Sequence, residues 1–203
     1  IDEKITALSK KYFNASDDVK VTTYDGRAYL NAVKNTYDVI MVDAYQDITI
    51  PFQMSSKEFF TLVKGHLKPD GVMVVNMNMR GGGEGNINQY LSDTISTVFP
   101  EVFTVDVSNS SNRVLFASDN AKMTQVFDNN LARVTDTSLY SAMYGVKTNY
   151  EKYSPTGKYI LTDDKAPVEL LGMKVVDRMI SDELSYYKEI FKKEGLKGLL
   201  NSF

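Results

Sequence analysis

The chain has 203 residues, 43% hydrophobic and 24% charged, with a formal charge of −3 and no cysteine. That length holds one well-cored domain of about 100–150 residues plus an extension, or two small domains. Lysine and arginine are scattered over a net acidic chain, which excludes a concentrated phosphate-binding face and with it nucleic acid as a partner. The missing cysteine excludes disulfides, thiolate zinc sites and cysteine nucleophiles, and fits a reducing, cytoplasmic setting. No apolar run approaches the roughly 20 residues that span a bilayer, and no signal peptide is visible.

In chain order, IDEK (1–4) runs without a methionine into ITALSKKYF (5–13), whose Ile5, Leu8, Tyr12 and Phe13 share one side of a helix. Such a start suggests a piece of a larger protein. VKVTTYD (19–25) is β-branched and predicts a strand, and GRAYLNAVK (26–34) has helical spacing. YDVIMVDAY (37–45) is a near-continuous apolar run, the pattern of a strand buried on both faces of a parallel sheet. SSKEFFTLVKGHLKPDG (55–71) carries a Ser cap, places Phe59, Leu62, Val63 and Leu67 at helical spacing, and stops at Pro69-Asp70-Gly71. VMVVNMN (72–78) predicts a second buried strand and INQYLSDTISTVF (87–99) a second covering helix. EVFTVDV (101–107) and NRVLFAS (112–118), joined by a short polar link, suit a hairpin.

Strands alternating with helices imply a doubly wound α/β sheet, to which the hairpin adds one antiparallel strand. From about residue 120 four segments show helical periodicity, with YSPTGKYILTDDKAP (153–167) as a long irregular link. The expected division is an α/β domain over 1–119 and a helical extension over 120–203. Helical spacing puts the Tyr and Met residues of 140–190 in the core.

Ligands of open α/β sheets bind beyond the carboxyl ends of the strands. The predicted strand ends carry Asp25-Gly26, Asp43-Ala44-Tyr45 followed by Asp47, and Asn76 with Asn78. Asp25 either caps the helix before GRAYL or contacts a ligand. A carboxylate such as Asp43 at the end of a buried strand needs a partner or a function. VMVVNMNMRGGGEGNINQYL (72–91) reads as strand, glycine turn and helix start, with Asp106 at the spacing of a dinucleotide loop's acid.

The segments IDEK, YDGRAYL, YDVIMVDAYQD and LKPDGVMVV, taken in order, resemble the polyamine aminopropyltransferases, the spermidine synthase family, over roughly residues 1–118. LTDDKAPVEL (161–170) is similar to a Thr-Asp-Asp-x-Pro-x-x-Glu element of bacterial members whose synthase domain follows a transmembrane region. The resemblance implies a Rossmann-like class I methyltransferase sheet lacking its first strand or strands, with a C-terminal antiparallel hairpin and a helical extension. It implies decarboxylated S-adenosylmethionine as co-substrate, no metal, and a small polyamine substrate. Asp2, Asp25, Gly26 and Pro51 would contact the adenosyl group; Asp43, with Tyr45 and Asp47, would orient and deprotonate the attacking amine. The family's glycine-rich cofactor loop precedes the match to Ile1, so residues 81–85 read as a loop at the rim of the active site.

The chain departs from the family pattern. Asp47 stands four residues after Asp43 and precedes Ile48, where the family spaces its acids by three and follows with proline, and Tyr45 replaces a small residue. Two other readings stay open: an S-adenosylmethionine-dependent methyltransferase, and a catalytically silent module that senses polyamines or supports a partner. Without its central first strand the sheet is expected to rearrange to about five strands or to form a homodimer. His66 reads as a surface residue within a helix, Asp163-Asp164 as a helix cap or a cation site, and Lys192-Lys193 as a solvated face.

Overall fold

The computed structural model describes residues 2–45, 50–78, 83–108 and 110–202. Five strands form one mixed sheet: β1 (Tyr37–Val42), β2 (Leu67–Met77), β3 (Glu101–Asp106), β4 (Arg113–Ser118) and β5 (Glu151–Lys152), in the order β1-β2-β4-β3-β5. β1 and β2 are parallel, and the hairpin places β4 antiparallel between β2 and β3. Four of the five expected strands are present, the fifth observed one being the two-residue β5, and among the described residues β1 pairs with β2 alone and lies at the sheet's edge.

The apolar spacing of the helices decides what covers the sheet. α3 (Lys57–Gly65), capped by Ser56, buries Phe59, Phe60 and Val63; α4 (Ile87–Ser96), capped by Asn86, buries Ile87, Leu91 and Ile95. These pack in one cluster with Val42, Met73, Val75, Met77, Leu115 and Ala117, the alternate residues of the strands that share one face. From the C-terminal part, Leu161, Val168, Leu171 and Val175 join the same core. On the opposite face α6 (Thr137–Asn149) packs on β3, where Tyr150 meets Phe103 edge-on, and α5 (Met123–Leu131) packs against α6.

Several expectations need correction. Residues 19–25 form no strand: they run beside β1 across a groove of about 360 Å³, so no ladder forms, and Val19, Val21 and Tyr24 stay exposed. β1 is not buried on both faces, since Val39 is 51% and Met41 73% exposed where no helix covers the sheet. The helix predicted to Pro69 ends at Gly65, and Leu67 already begins β2. Pro69-Asp70-Gly71 is absorbed as a bulge between the pairs Tyr37–Leu67 and Val39–Val72, a place where proline's missing N–H is tolerated. His66 is the C-cap of α3, its Nδ1 2.7 Å from the Asn35 carbonyl oxygen.

The two last predicted helices are one, α7 (Val168–Asn201), kinked at Gly195. Tyr140, Tyr144, Met173, Met179 and Tyr186 are exposed rather than core, because α6 buries none of its residues and α7 joins the core only through Val168, Leu171 and Val175 of its first turns. No described helix is long and apolar enough to cross a membrane.

Candidate functional site

The carboxyl end of β1 presents Asp43, exposed, and Tyr45, half-buried. Asn76, near the end of the neighbouring β2, donates from Nδ2 to Asp43 Oδ1 at 3.0 Å. This is the partner that a strand-end carboxylate requires. The Tyr45 hydroxyl donates to the Asn76 carbonyl oxygen and accepts from the Asn78 N–H at 2.6 Å. Burial pushes the Tyr45 phenol up, so it stays protonated at neutral pH. Asp43, Tyr45, Asn76 and Asn78 are therefore locked across two adjacent parallel strands. Asp47 lies outside the described residues.

A second group gathers at the N-terminus of α2 (Gly26–Ala32), the helix that precedes β1. There Asp25 caps the helix, accepting from the Ala28 N–H at 2.8 Å through Oδ1. The helix-cap alternative for Asp25 is thus realised. Gly26 is exposed, and a Cβ there would sit 3.5 Å from the Met54 methyl. Met54 closes the short 3-10 turn Phe52–Met54 that Pro51 begins. Asp25, Gly26 and Pro51 are thereby brought together, whereas Asp2 is not. Asp2 caps α1 (Glu3–Phe13) by accepting from the Lys4 N–H at 2.8 Å, and α1 buries no residue.

What holds this second group is a contact that sequence reading missed. Asp163 receives both prongs of the Arg27 guanidinium, at 2.7 and 2.6 Å, and the Ser56 hydroxyl at 2.5 Å. Arg27 also donates to the Gln53 carbonyl oxygen at 2.9 Å. The Arg27 and Ser56 hydrogen bonds hold the Asp163 carboxyl down at about 2. Asp163 therefore neither caps α7 nor stands free to bind a cation. The signal was present in LTDDKAPVEL, but its partner lies 136 residues away and no local pattern names it.

Of the glycine loop, Gly83 and Gly85 are described, with φ of 91° and 73°, values that favour glycine. Gly83 lies against the Arg178 guanidinium and Gly85 against the Tyr159 ring. The loop thus feeds the cap of α4: Asn86 Nδ2 donates to the Gly83 carbonyl and the Gly85 N–H to Gln89 Oε1. Asp106, the acid at dinucleotide spacing, is paired with Arg113 at 2.5 Å. No cluster of three or more metal-ligating side chains exists among the described residues.

Residues 1–129 match the model of the spermine/spermidine synthase domain. The whole chain is 50% identical to a probable polyamine aminopropyl transferase of Bifidobacterium longum, and spans 49% of that protein's length. Among solved structures, human methyltransferase-like protein 13 in complex with SAH superposes with a TM-score of 0.54 at 22% identity, over 73% of this chain and 67% of that one. A spermidine synthase in complex with the transition-state analogue AdoDATO gives 0.51 at 20% identity, over 71% and 54%. The last two likenesses establish a methyltransferase-like fold. With the family model covering well over half of its length, the chain belongs to the spermine/spermidine synthase domain family.

Proposed function

We propose that, in the intact protein that carries it, this domain performs aminopropyl transfer from decarboxylated S-adenosylmethionine to a diamine such as putrescine, and that this chain is inactive by itself. Besides the family, one observation carries the reading: an exposed strand-end carboxylate, Asp43, steadied by Asn76 beside the fixed Tyr45 hydroxyl. A diamine arrives as a dication, and its reacting end must lose a proton before nitrogen can attack. Asn76 occupies Asp43 Oδ1 and leaves Oδ2 to take that proton. The amine nitrogen then bonds to the carbon next to the sulfonium, the C–S bond breaks, and its electron pair stays on sulfur as methylthioadenosine leaves.

Asp25, Gly26 and Pro51 form the wall assigned to adenine, and by resemblance Asp47 joins Asp43 and Tyr45 in holding the amine. The relative complexed with AdoDATO binds an adenosyl compound of this kind. Positioning and electrostatics supply most of the acceleration. A cytoplasmic location, a homodimer and an upstream membrane region in the parent belong to the same proposal.

The test is product analysis by mass spectrometry on the intact protein that carries this domain, with decarboxylated S-adenosylmethionine and S-adenosylmethionine offered in parallel with several diamines. Spermidine and methylthioadenosine in equal amounts support the proposal. Methylated amine, or no turnover with either donor, contradicts it.

A further inference from the structure

α7 leaves the body of the molecule after its first turns. Val168, Leu171 and Val175 reach the core, and on the same side Arg178 lies against Gly83. From residue 176 to residue 194 no residue of the helix is buried. A helix in water draws most of its stability from packing an apolar face, and here that face is bare.

Met173, Val176, Ile180, Leu184, Tyr187 and Phe191 recur every three or four residues, the α-helical period, and form one stripe about 27 Å long. The same period puts Val168, Leu171 and Val175 on the other side of the helix, so the stripe is turned away from the core. Met173 is 62% exposed, Ile180 53%, Leu184 54% and Phe191 53%. A contiguous apolar surface of this kind marks an interaction site.

The charges of the same helix name the occupant. Residues 177–183 hold Asp177, Asp182 and Glu183 against one arginine, and residues 188–193 hold Lys188, Lys192 and Lys193 against one glutamate. A second copy laid antiparallel brings each acidic stretch onto a basic one, whereas a parallel copy lays like on like. The stripe has the matching symmetry. With Ile180 opposite the partner's Leu184, Met173 falls opposite the partner's Phe191 and Val176 opposite the partner's Tyr187. Asp177 then flanks the partner's Lys188, twice over by the twofold. These two contacts outweigh the single like-charge approach, that of the two exposed and solvent-screened Glu183 side chains near the axis.

We infer that the outward stripe of α7 is the interface between two copies of this chain, paired antiparallel about a twofold axis midway between Ile180 and Leu184. It gives the proposed homodimer its surface, and no assay of activity enters its test, so its failure leaves the reading of the chemistry untouched. The exposed face of β1 is a different surface. Two twofold contacts on different faces link chains without end, whereas α7 alone closes at the dimer.

The test is sedimentation equilibrium of the whole chain in a Met41→Lys background, which takes the β1 face out of the comparison. A dimer is expected, with a Kd on the order of micromolar for an interface of this small size. Leu184→Lys should leave a monomer whose core strands keep their hydrogen-exchange protection. Tyr186→Lys, at a site 58% exposed but off the stripe, should leave the dimer intact. Asp177→Lys and Lys188→Asp should each weaken the dimer about tenfold and the double variant should restore it, a rescue that a parallel pair does not give. A monomeric Met41→Lys chain, a dimer indifferent to Leu184→Lys, or charge variants without rescue would overturn the inference. So would a monomer that binds phosphatidylcholine vesicles in a Leu184-dependent way, since the stripe would then serve a lipid surface.

Discussion

Arg27 and Asp163, 136 residues apart in the chain, meet in a two-pronged ion pair at 2.7 and 2.6 Å. Through Ser56 and the Gln53 carbonyl the same pair ties the start of α2 to the start of α3 and to the turn after Pro51. It thus braces the wall formed by Asp25, Gly26 and Pro51. Because both side chains are partly exposed, Asp163→Asn is expected to cost only about 1 kcal/mol of global stability. Its main effect is local: amide hydrogen exchange at residues 25–28 and 51–56 speeds up while the core strands keep their protection. Arg27→Lys, which loses the fork, reproduces the effect.

The same pair sets an acid response. Asp163 titrates at about 2 in the folded protein, below its ordinary value near 3.8. A depressed carboxyl stabilises the fold above its unfolded-state value and loses that contribution as pH falls through the folded one. The stability gap between wild type and Asp163→Asn, read by thermal melts, should therefore stay constant above about pH 4 and shrink toward pH 2. A gap that widens on acidification would contradict the pairing.

Asp93 pins the loop after β5 to α4. Burial pushes its carboxyl up, but hydrogen bonds from Thr156, Tyr153 and Tyr159 outweigh that and hold it below the ordinary value. Asp93→Ala strands two hydroxyls and two N–H groups, so a loss of about 3 kcal/mol or more in urea melts is expected. Asp93→Asn, which keeps an acceptor, costs less.

Strong local periodicity made much of the fold legible. The runs of β1 to β4 and the Phe59, Phe60 and Val63 face of α3 appear where the alternation and helical spacing put them. Legibility failed where the outcome depended on partners. VKVTTYD has strand composition, but no strand lies in reach to complete a ladder with it. The tyrosines and methionines of α6 and α7 have core-like spacing, but little is packed over them. At the site, Asp43, Tyr45 and Asn76 were readable as strand-end residues. The bond from Asn76 to Asp43 and the tie from Asp163 to Arg27 were not, because register and long-range closure fix them.

The open face of β1 leaves Val39 and Met41 to solvent beside an unpaired edge, a surface prone to self-association. Sedimentation of this chain should show association that grows with concentration. Met41→Lys should suppress it at a stability change within about 0.5 kcal/mol. A strictly monomeric wild type would contradict this expectation.

The measurement that bears most directly on the proposed chemistry is the rate of aminopropyl transfer by wild type and Asp43→Asn, compared in the protein that carries this domain, with methyl transfer from S-adenosylmethionine assayed alongside. Removing the proton acceptor while keeping the shape and the Asn76 contact should lower kcat by about 10²-fold or more, with a smaller change in KM for the donor. Wild-type rates in Asp43→Asn, or methyl transfer as the faster reaction, would contradict the role given to Asp43.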